Sequence, residues 1–258
     1  MVRGGMEIAL RIPLYVWWGI IASLAAGLAT GVGALPVIFT RRVSDRLMDG
    51  MLGFAAGVML AATSFSLIIP ALRISGVAVV SMGLIAGGIF LHLADRIIPH
   101  LHFISGAEGP ASRLRRTWLF IFAITIHNFP EGLAVGVGFG SGDVRAGTAL
   151  AIAIGLQNMP EGLAVALPLI RERYSRNRAL SYATLTGLIE PIGGILGVIA
   201  VSLARPLLPL ALSFAAGAML YVISDEIIPE THSRGFEREA TAGVIIGFVL
   251  MLILDNLF

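Results

Sequence analysis

The sequence predicts an all-α polytopic membrane protein of eight transmembrane helices, and its composition and apolar runs are the basis of that prediction. Of the 258 residues, 57% are hydrophobic and only 13% are charged, whereas a soluble globular domain has roughly 25% charged residues. Apolar runs of about 18 residues or more recur along the chain, and each is long enough to cross a hydrocarbon core roughly 30 Å thick.

The spans are expected within one transmembrane domain over residues 1–258. The first run is too long for the apolar region of a signal peptide and is interpreted as a span. The predicted spans lie near residues 14–39, 47–69, 77–99, 117–139, 146–170, 179–204, 207–229 and 239–257.

The arginines predict the orientation. The loops after spans 1, 3, 5 and 7 carry 3, 4, 4 and 2 of the chain's arginines, and the termini and other loops carry 5. Positive residues favour the cytoplasmic side of a membrane. We therefore predict a multi-pass protein of the cell (inner or plasma) membrane with both termini on the extracytoplasmic side.

Two residue types are missing from the sequence, and their absence excludes several chemistries. Without cysteine there is neither a disulfide nor a thiolate metal site. Without lysine there is no Walker A phosphate-binding loop and no Schiff base of the kind that retinal pumps use.

The chain resembles itself at a constant offset of 160 residues. Residues 54–57 and 214–217 both read Phe-Ala-Ala-Gly, so spans 1–3 map onto spans 6–8 in a 3+2+3 arrangement. Because five spans separate each pair, the copies have opposite orientations, as in the inverted repeats of secondary transporters. Chance is the alternative, since glycine and alanine are common in membrane helices. Further matches are Gly27 with Gly187, Gly33 with Gly193, Gly83 with Gly243, Gly87 with Gly247, and Asp95 with Asp255.

Spans 4 and 5 carry a repeated motif of their own. The segment His-Asn-Phe-Pro-Glu-Gly at 127–132 recurs as Gln-Asn-Met-Pro-Glu-Gly at 157–162. Residues three or four apart share one face of a helix, so each helix directs a carboxylate and two further polar groups at one spot. The proline in each motif leaves a backbone carbonyl without its helical donor. The six side chains concerned are His127, Asn128, Glu131, Gln157, Asn158 and Glu161.

Span 6 adds a third acidic residue, Glu190, which precedes Pro191 near the middle of the span. An acidic residue at the centre of a membrane helix costs roughly 2.5–3.5 kcal/mol. The three are therefore either protonated or grouped around a cation. A ligand set of nitrogen and oxygen suits Zn(II), Fe(II), Mn(II) or Cd(II) better than Cu(I), and three carboxylates offer enough oxygens for two ions.

At these residues the chain resembles the ZIP family of metal-ion permeases, and within it the GufA-like prokaryotic branch. The resemblance covers essentially the whole chain, including both motifs, the Glu-Pro-Ile-Gly-Gly stretch at 190–194 and the Pro-His-Leu-His-Phe segment at 99–103. It implies uptake of Zn(II) or a related ion into the cytoplasm through a two-metal site. It also implies that spans 1, 4, 5 and 6 move together against spans 2, 3, 7 and 8, and that the protein forms a homodimer.

The resemblance further implies which residues hold each ion. Glu131 and Glu161 would bridge the two positions, and Gln157 stands where many relatives have histidine, which predicts broader metal selectivity. The first position would comprise His127, Glu131, Gln157 and Glu161, and the second Asn128, Asn158 and Glu190.

Further polar residues lie away from the predicted centre. The predicted cytoplasmic end of span 7 carries an exit relay or an ordinary charged helix end, formed by Asp225, Glu226, Glu230 and His232. Beyond span 3, weak metal ligands or solvated loop residues are expected at His100 and His102. Near the outer face, Asp255 either captures cations or forms a salt bridge or cap.

A membrane-embedded di-metal enzyme is the alternative function. Against it, the chain has 5 histidines, only His127 among them is central, and no His-Glu-x-x-His pair occurs. We predict a transporter that does not use ATP, not an enzyme. Its expected partners are the lipid bilayer and divalent ions, with Zn(II) as substrate, Cd(II), Fe(II) and Mn(II) as alternatives, and no nucleic acid.

Overall fold

The computed structural model describes residues 13–40, 43–98, 100–102, 106–108 and 116–257. Within these residues the long helices form eight successive helical stretches, which are called spans 1–8 in chain order. Span 1 is α1 (Leu14–Ala34) with a 3₁₀ turn (Leu35–Ile38). Span 2 comprises α2 (Asp45–Ala61), a π-helical segment (Ala62–Ile68) and α3 (Ile69–Ser75). Span 3 is α4 (Val77–Ile97), and span 4 is α5 (Arg116–Gly140). Span 5 is α6 (Val144–Arg171), and span 6 comprises α7 (Arg176–Gly187) and α8 (Glu190–Leu203). Span 7 comprises a 3₁₀ turn (Arg205–Leu207), α9 (Leu208–Val222), a π-helical segment (Ile223–Ile227) and α10 (Ile228–Thr231). Span 8 is α11 (Glu237–Leu257).

Among the described residues, seven helical stretches are long and apolar enough to cross a bilayer, and α5 adds a further helix of 25 residues. The coarse prediction of an α-helical polytopic membrane protein is therefore confirmed. One small element differs from the all-α expectation. Strands β1 (His100–His102) and β2 (Gly106–Glu108) pair antiparallel between spans 3 and 4.

Local side chains set where several helices begin. Ser44 accepts a hydrogen bond from the backbone N–H of Leu47 (3.2 Å) at the start of α2. Asp143 does the same for Arg145 and Ala146 at the start of α6. Such side chains satisfy N–H groups that have no partner within the helix. These bonds therefore help to fix where α2 and α6 begin.

Glycines let the spans approach each other at backbone distance. A Cβ at Gly57 in α2 would overlap the carbonyl oxygen of Val244 in α11, and a Cβ at Gly217 in α9 would overlap that of Leu84 in α4. Small residues allow such close helix packing in membranes. Gly57 and Gly217 are 160 residues apart, and so are Leu84 and Val244. The two contacts are therefore equivalent in the internal repeat.

The long helices pack in pairs. Helix α2 lies along α11, α4 along α9, α5 along α8, and α1 along α6. The first two pairs belong to spans 2, 3, 7 and 8, and the other two to spans 1, 4, 5 and 6. Both sequence motifs lie in the second group, on α5 and α6.

Candidate metal site

Helices α5 and α6 carry the repeated motif near their midpoints. A turn at 141–143 joins them, so they run antiparallel and the two motifs meet at similar heights. A Cβ at Gly132 in α5 would overlap the carbonyl oxygen of Glu190, and a Cβ at Gly162 in α6 would overlap that of Thr30. The motif glycines therefore bring α8 and α1 directly against the helices that carry the polar groups.

The seven side chains predicted as metal ligands are all buried together. None has more than 2% of its surface exposed, although polar and charged side chains are seldom fully buried unless they are paired. The structure thus brings the whole predicted ligand set into the interior, and none of its members faces lipid. The set comprises His127, Asn128, Glu131, Gln157, Asn158, Glu161 and Glu190.

Direct polar contacts link these groups across the helices. Gln157 Nε2 donates to Glu131 Oε1 (2.5 Å), and Asn158 Nδ2 donates to Glu190 Oε1 (2.6 Å). His127 Nε2 lies 3.9 Å from Glu161 Oε2. The amides of Gln157 and Asn158 therefore each occupy one carboxylate oxygen, and the imidazole faces the third carboxylate.

A fourth carboxylate completes this cluster. Glu226 lies in the π-helical segment of span 7, is only 7% exposed, and places Oε2 3.0 Å from Nδ1 of His127. The sequence placed Glu226 in the group at the end of span 7, and the structure instead puts it against the central histidine. A carboxylate on the second ring nitrogen fixes the tautomer of a ligating histidine, as in many metal sites.

Several atoms of the cluster accept no hydrogen bond from the residues that the structure describes. Both oxygens of Glu161, Oε2 of Glu131 and Oε2 of Glu190 are in this state, as are Nε2 of His127 and the amide oxygens of Asn128, Gln157 and Asn158. A buried carboxylate without a partner is costly. These atoms are the donors that a divalent cation with nitrogen and oxygen ligands would use.

The carboxylates are near neighbours, but they are not yet arranged around one point. Glu131 interacts electrostatically with Glu161, Glu190 and Glu226. Among the described residues, however, no three histidine, aspartate or glutamate side chains stand in a geometry that would hold an ion.

The outlying residues of the sequence prediction lie in different surroundings. The ring of His232 contacts Oγ1 of Thr241 (3.3 Å) and the backbone at the end of its own helix. Asp225 is half-buried, and Glu230 accepts a hydrogen bond from Arg234 (2.6 Å).

Two further predictions concern the outer face and the hairpin. Asp255 accepts a hydrogen bond from Ser66 (2.8 Å) and lines a cavity of about 730 Å³. This hydrogen bond is neither the salt bridge nor the helix cap that was predicted for Asp255. Cation capture by Asp255 stays a prediction. His100 and His102 lie on β1, and their side chains are outside the described part of the structure, so a weak metal site there is untested.

Fold and site together define a polytopic membrane protein with a buried cluster of donors suited to divalent cations. A family model described as "ZIP Zinc transporter" matches residues 105–255. The chain is 47% identical to the zinc transporter GufA of Myxococcus xanthus, over 92% of this chain and 97% of that protein. It is 44% identical to the zinc transporter ZIPB of Bordetella bronchiseptica over 94% and 82%, and 37% identical to human zinc transporter ZIP11 over 88% and 93%. The chain belongs to the ZIP family of zinc transporters.

Proposed function

We propose that this protein is a secondary transporter that carries Zn(II) or a related divalent ion across the cell membrane into the cytoplasm. The ions pass through a two-metal site halfway across the bilayer, without ATP. The observation that carries this proposal is the burial of Glu131, Glu161 and Glu190 in one cluster with His127. Each of these carboxylates has at least one oxygen that accepts no hydrogen bond from the described residues.

Charge balance is the reason to place cations among these groups. Each acidic side chain at the centre of a membrane helix costs roughly 2.5–3.5 kcal/mol, and the cluster holds four once Glu226 is counted. Two divalent ions would neutralise four carboxylates. The first ion would be held by His127, Glu131, Gln157 and Glu161, and the second by Asn128, Asn158 and Glu190, with Glu131 and Glu161 shared.

The helix pairs support movement of one group of spans against the other. Contacts between α1 and α6 and between α5 and α8 join spans 1, 4, 5 and 6, which hold most of the ligands. The contacts of α2 with α11 and of α4 with α9 join spans 2, 3, 7 and 8. These two contacts are equivalent at the 160-residue offset. This pattern favours an inverted repeat of spans 1–3 and 6–8, with alternating access by displacement of the ligand-bearing group.

The relatives support the choice of substrate. Those reported above are named zinc transporters, so Zn(II) is the proposed substrate, with Cd(II), Fe(II) and Mn(II) as competitors that the same ligands would accept. The arginine-rich loops favour a cytoplasmic position for the ends of spans 1, 3, 5 and 7. Both termini are then extracytoplasmic, and a homodimer is the proposed assembly.

Uptake into liposomes tests this function. Purified protein should admit Zn(II) or Cd(II) down a concentration gradient without ATP, and liposomes without protein should not. Competition by each of the other ions measures selectivity. A protein that shows no flux but turns over a lipid or amide substrate would instead be a di-metal enzyme.

Binding should weaken in acid. Carboxylate and imidazole ligands must lose their protons before they bind a metal ion, so protons compete with Zn(II) at every ligand except the amides. The apparent affinity should therefore fall as the pH is lowered from 7 towards about 5. Titration of Zn(II) binding to the detergent-solubilised protein at several pH values measures this, and an affinity that does not change with pH would contradict the proposed ligands.

A further inference from the structure

A second group of acidic residues lies beyond the central cluster, at the predicted cytoplasmic ends of the spans. There a cavity of about 270 Å³ opens between α2, α6 and α10. Its lining carries both acidic and basic side chains. The charged residues are Asp45, Arg171, Glu230 and Arg234.

One guanidinium closes this cavity by bridging two spans. Arg234 Nη1 donates to Asp49 Oδ1 (2.9 Å) in span 2, and Nη2 donates to Glu230 Oε1 (2.6 Å) in span 7. Arg234 itself keeps 27% of its side chain exposed. The cation is therefore held at the boundary between the protein interior and the cavity.

Asp49 is the unusual member of this group. Its side chain is completely buried, and its second oxygen, Oδ2, accepts no hydrogen bond within the described part of the chain. A buried carboxylate is stable only when it is paired. Here the guanidinium of Arg234 is shared between the carboxylates of Asp49 and Glu230.

The acidic side chains continue from the central cluster to this point. Glu226, which contacts His127, precedes Glu230 by four residues, about one helical turn. Glu230 interacts electrostatically with Glu226 and with Asp49. A cation leaving the centre towards the cavity would therefore meet Glu226 and then the pair formed by Glu230 and Asp49.

We propose that Asp49 and Glu230 form a further divalent-cation site near the cytoplasmic exit, and that Arg234 occupies it whenever no ion is there. An arriving ion displaces the guanidinium into the cavity, and the returning guanidinium then displaces the ion. Arg234 is thus a tethered competitor that prevents the ion from being trapped between two carboxylates. This inference rests on the proposed direction of transport.

Removing the charge of Arg234 should leave the site formed by Asp49 and Glu230 open to a metal ion. We expect R234Q to bind one more Cd(II) per chain than the wild type, measured by equilibrium dialysis of the purified full chain, and to transport several-fold more slowly because the ion is retained. The double variant D49N/R234Q should return to the wild-type number. Arg46→Gln is the matched control, because Arg46 is 69% exposed and pairs with Glu239 at the surface (2.7 Å).

A folded R234Q that binds the same number of ions as the wild type would overturn the inference. A wild type that binds no ion at all would instead overturn the proposed function, so the two failures are distinguishable.

A charge-conserving variant provides an independent test should R234Q not fold. The natural chain has no lysine, so R234K introduces a unique one. Its amine should react several-fold faster with an amine-selective reagent when Cd(II) is present, because the ion expels it from between the carboxylates. An unchanged labelling rate at saturating Cd(II) would contradict the inference.

Discussion

Replacing Glu161 with alanine should reduce divalent-metal uptake by more than about 100-fold, since even outer partners of metal ligands are worth roughly 10–100-fold in affinity or activity. Both Glu161 oxygens lack hydrogen bonds within the described structure, and Oε2 faces His127 Nε2 at 3.9 Å. Glu161 also interacts with Glu131 and Glu190. In the proposed site Glu161 is one of the two carboxylates that both metal positions share, so its loss should empty both.

Two further variants separate loss of charge from loss of structure. Glu161→Gln keeps the size of the side chain and removes its charge, so its uptake should fall nearly as far as that of Glu161→Ala. Glu237→Ala removes an exposed carboxylate at the start of α11 and should leave uptake close to that of the wild type. Substantial Cd(II) flux through a folded Glu161→Gln protein would exclude this residue as an essential ligand.

The second large effect is expected at a glycine. A Cβ at Gly162 would overlap the backbone carbonyl oxygen of Thr30, so alanine would force α1 away from α6. Overpacking of this kind typically costs about 1–3 kcal/mol. Because Glu161 and Asn158 lie on the same helix, the displacement should also weaken metal binding. We expect Gly162→Ala to lower the thermal unfolding temperature and to slow uptake.

Gly155 on the same helix provides the control. Its added Cβ would meet no atom closer than 3.8 Å, and alanine is favoured over glycine in a helix by roughly 0.5–1 kcal/mol. Gly155→Ala should therefore be neutral or slightly stabilising, opposite in sign to Gly162→Ala. Equal unfolding temperatures for the two variants would show that backbone contact between α1 and α6 is not needed for stability.

The sequence predicted that these buried polar side chains lie together, because the information that places them is local. Residues four apart on one helix must share a face, and a motif repeated on consecutive helices must meet itself. His127 and Glu131, and likewise Gln157 and Glu161, needed only this reasoning to be placed together. Glu190 could be added to this group because its place near the middle of predicted span 6 puts it at the same membrane depth as the two motifs.

The contacts that sequence reasoning missed depend on long-range packing or on irregular helix geometry. Glu226 turns towards His127 from a π-helical segment, and a regular helical period does not predict that rotation. Arg234 and Asp49 are 185 residues apart. Their pairing needs the end of span 7 to lie against the start of span 2, as α10 does against α2, and no local sequence pattern predicts that contact.

X-ray absorption at the zinc edge of the loaded protein tests the central claim most directly. We predict a first shell of nitrogen and oxygen only, at roughly 2.0–2.2 Å, with the scattering of a single imidazole that disappears in His127→Ala. Glu161→Ala should lose the bound zinc altogether. A shell that contains sulfur, or one that is unchanged in both variants, would show that the ion binds elsewhere in the protein.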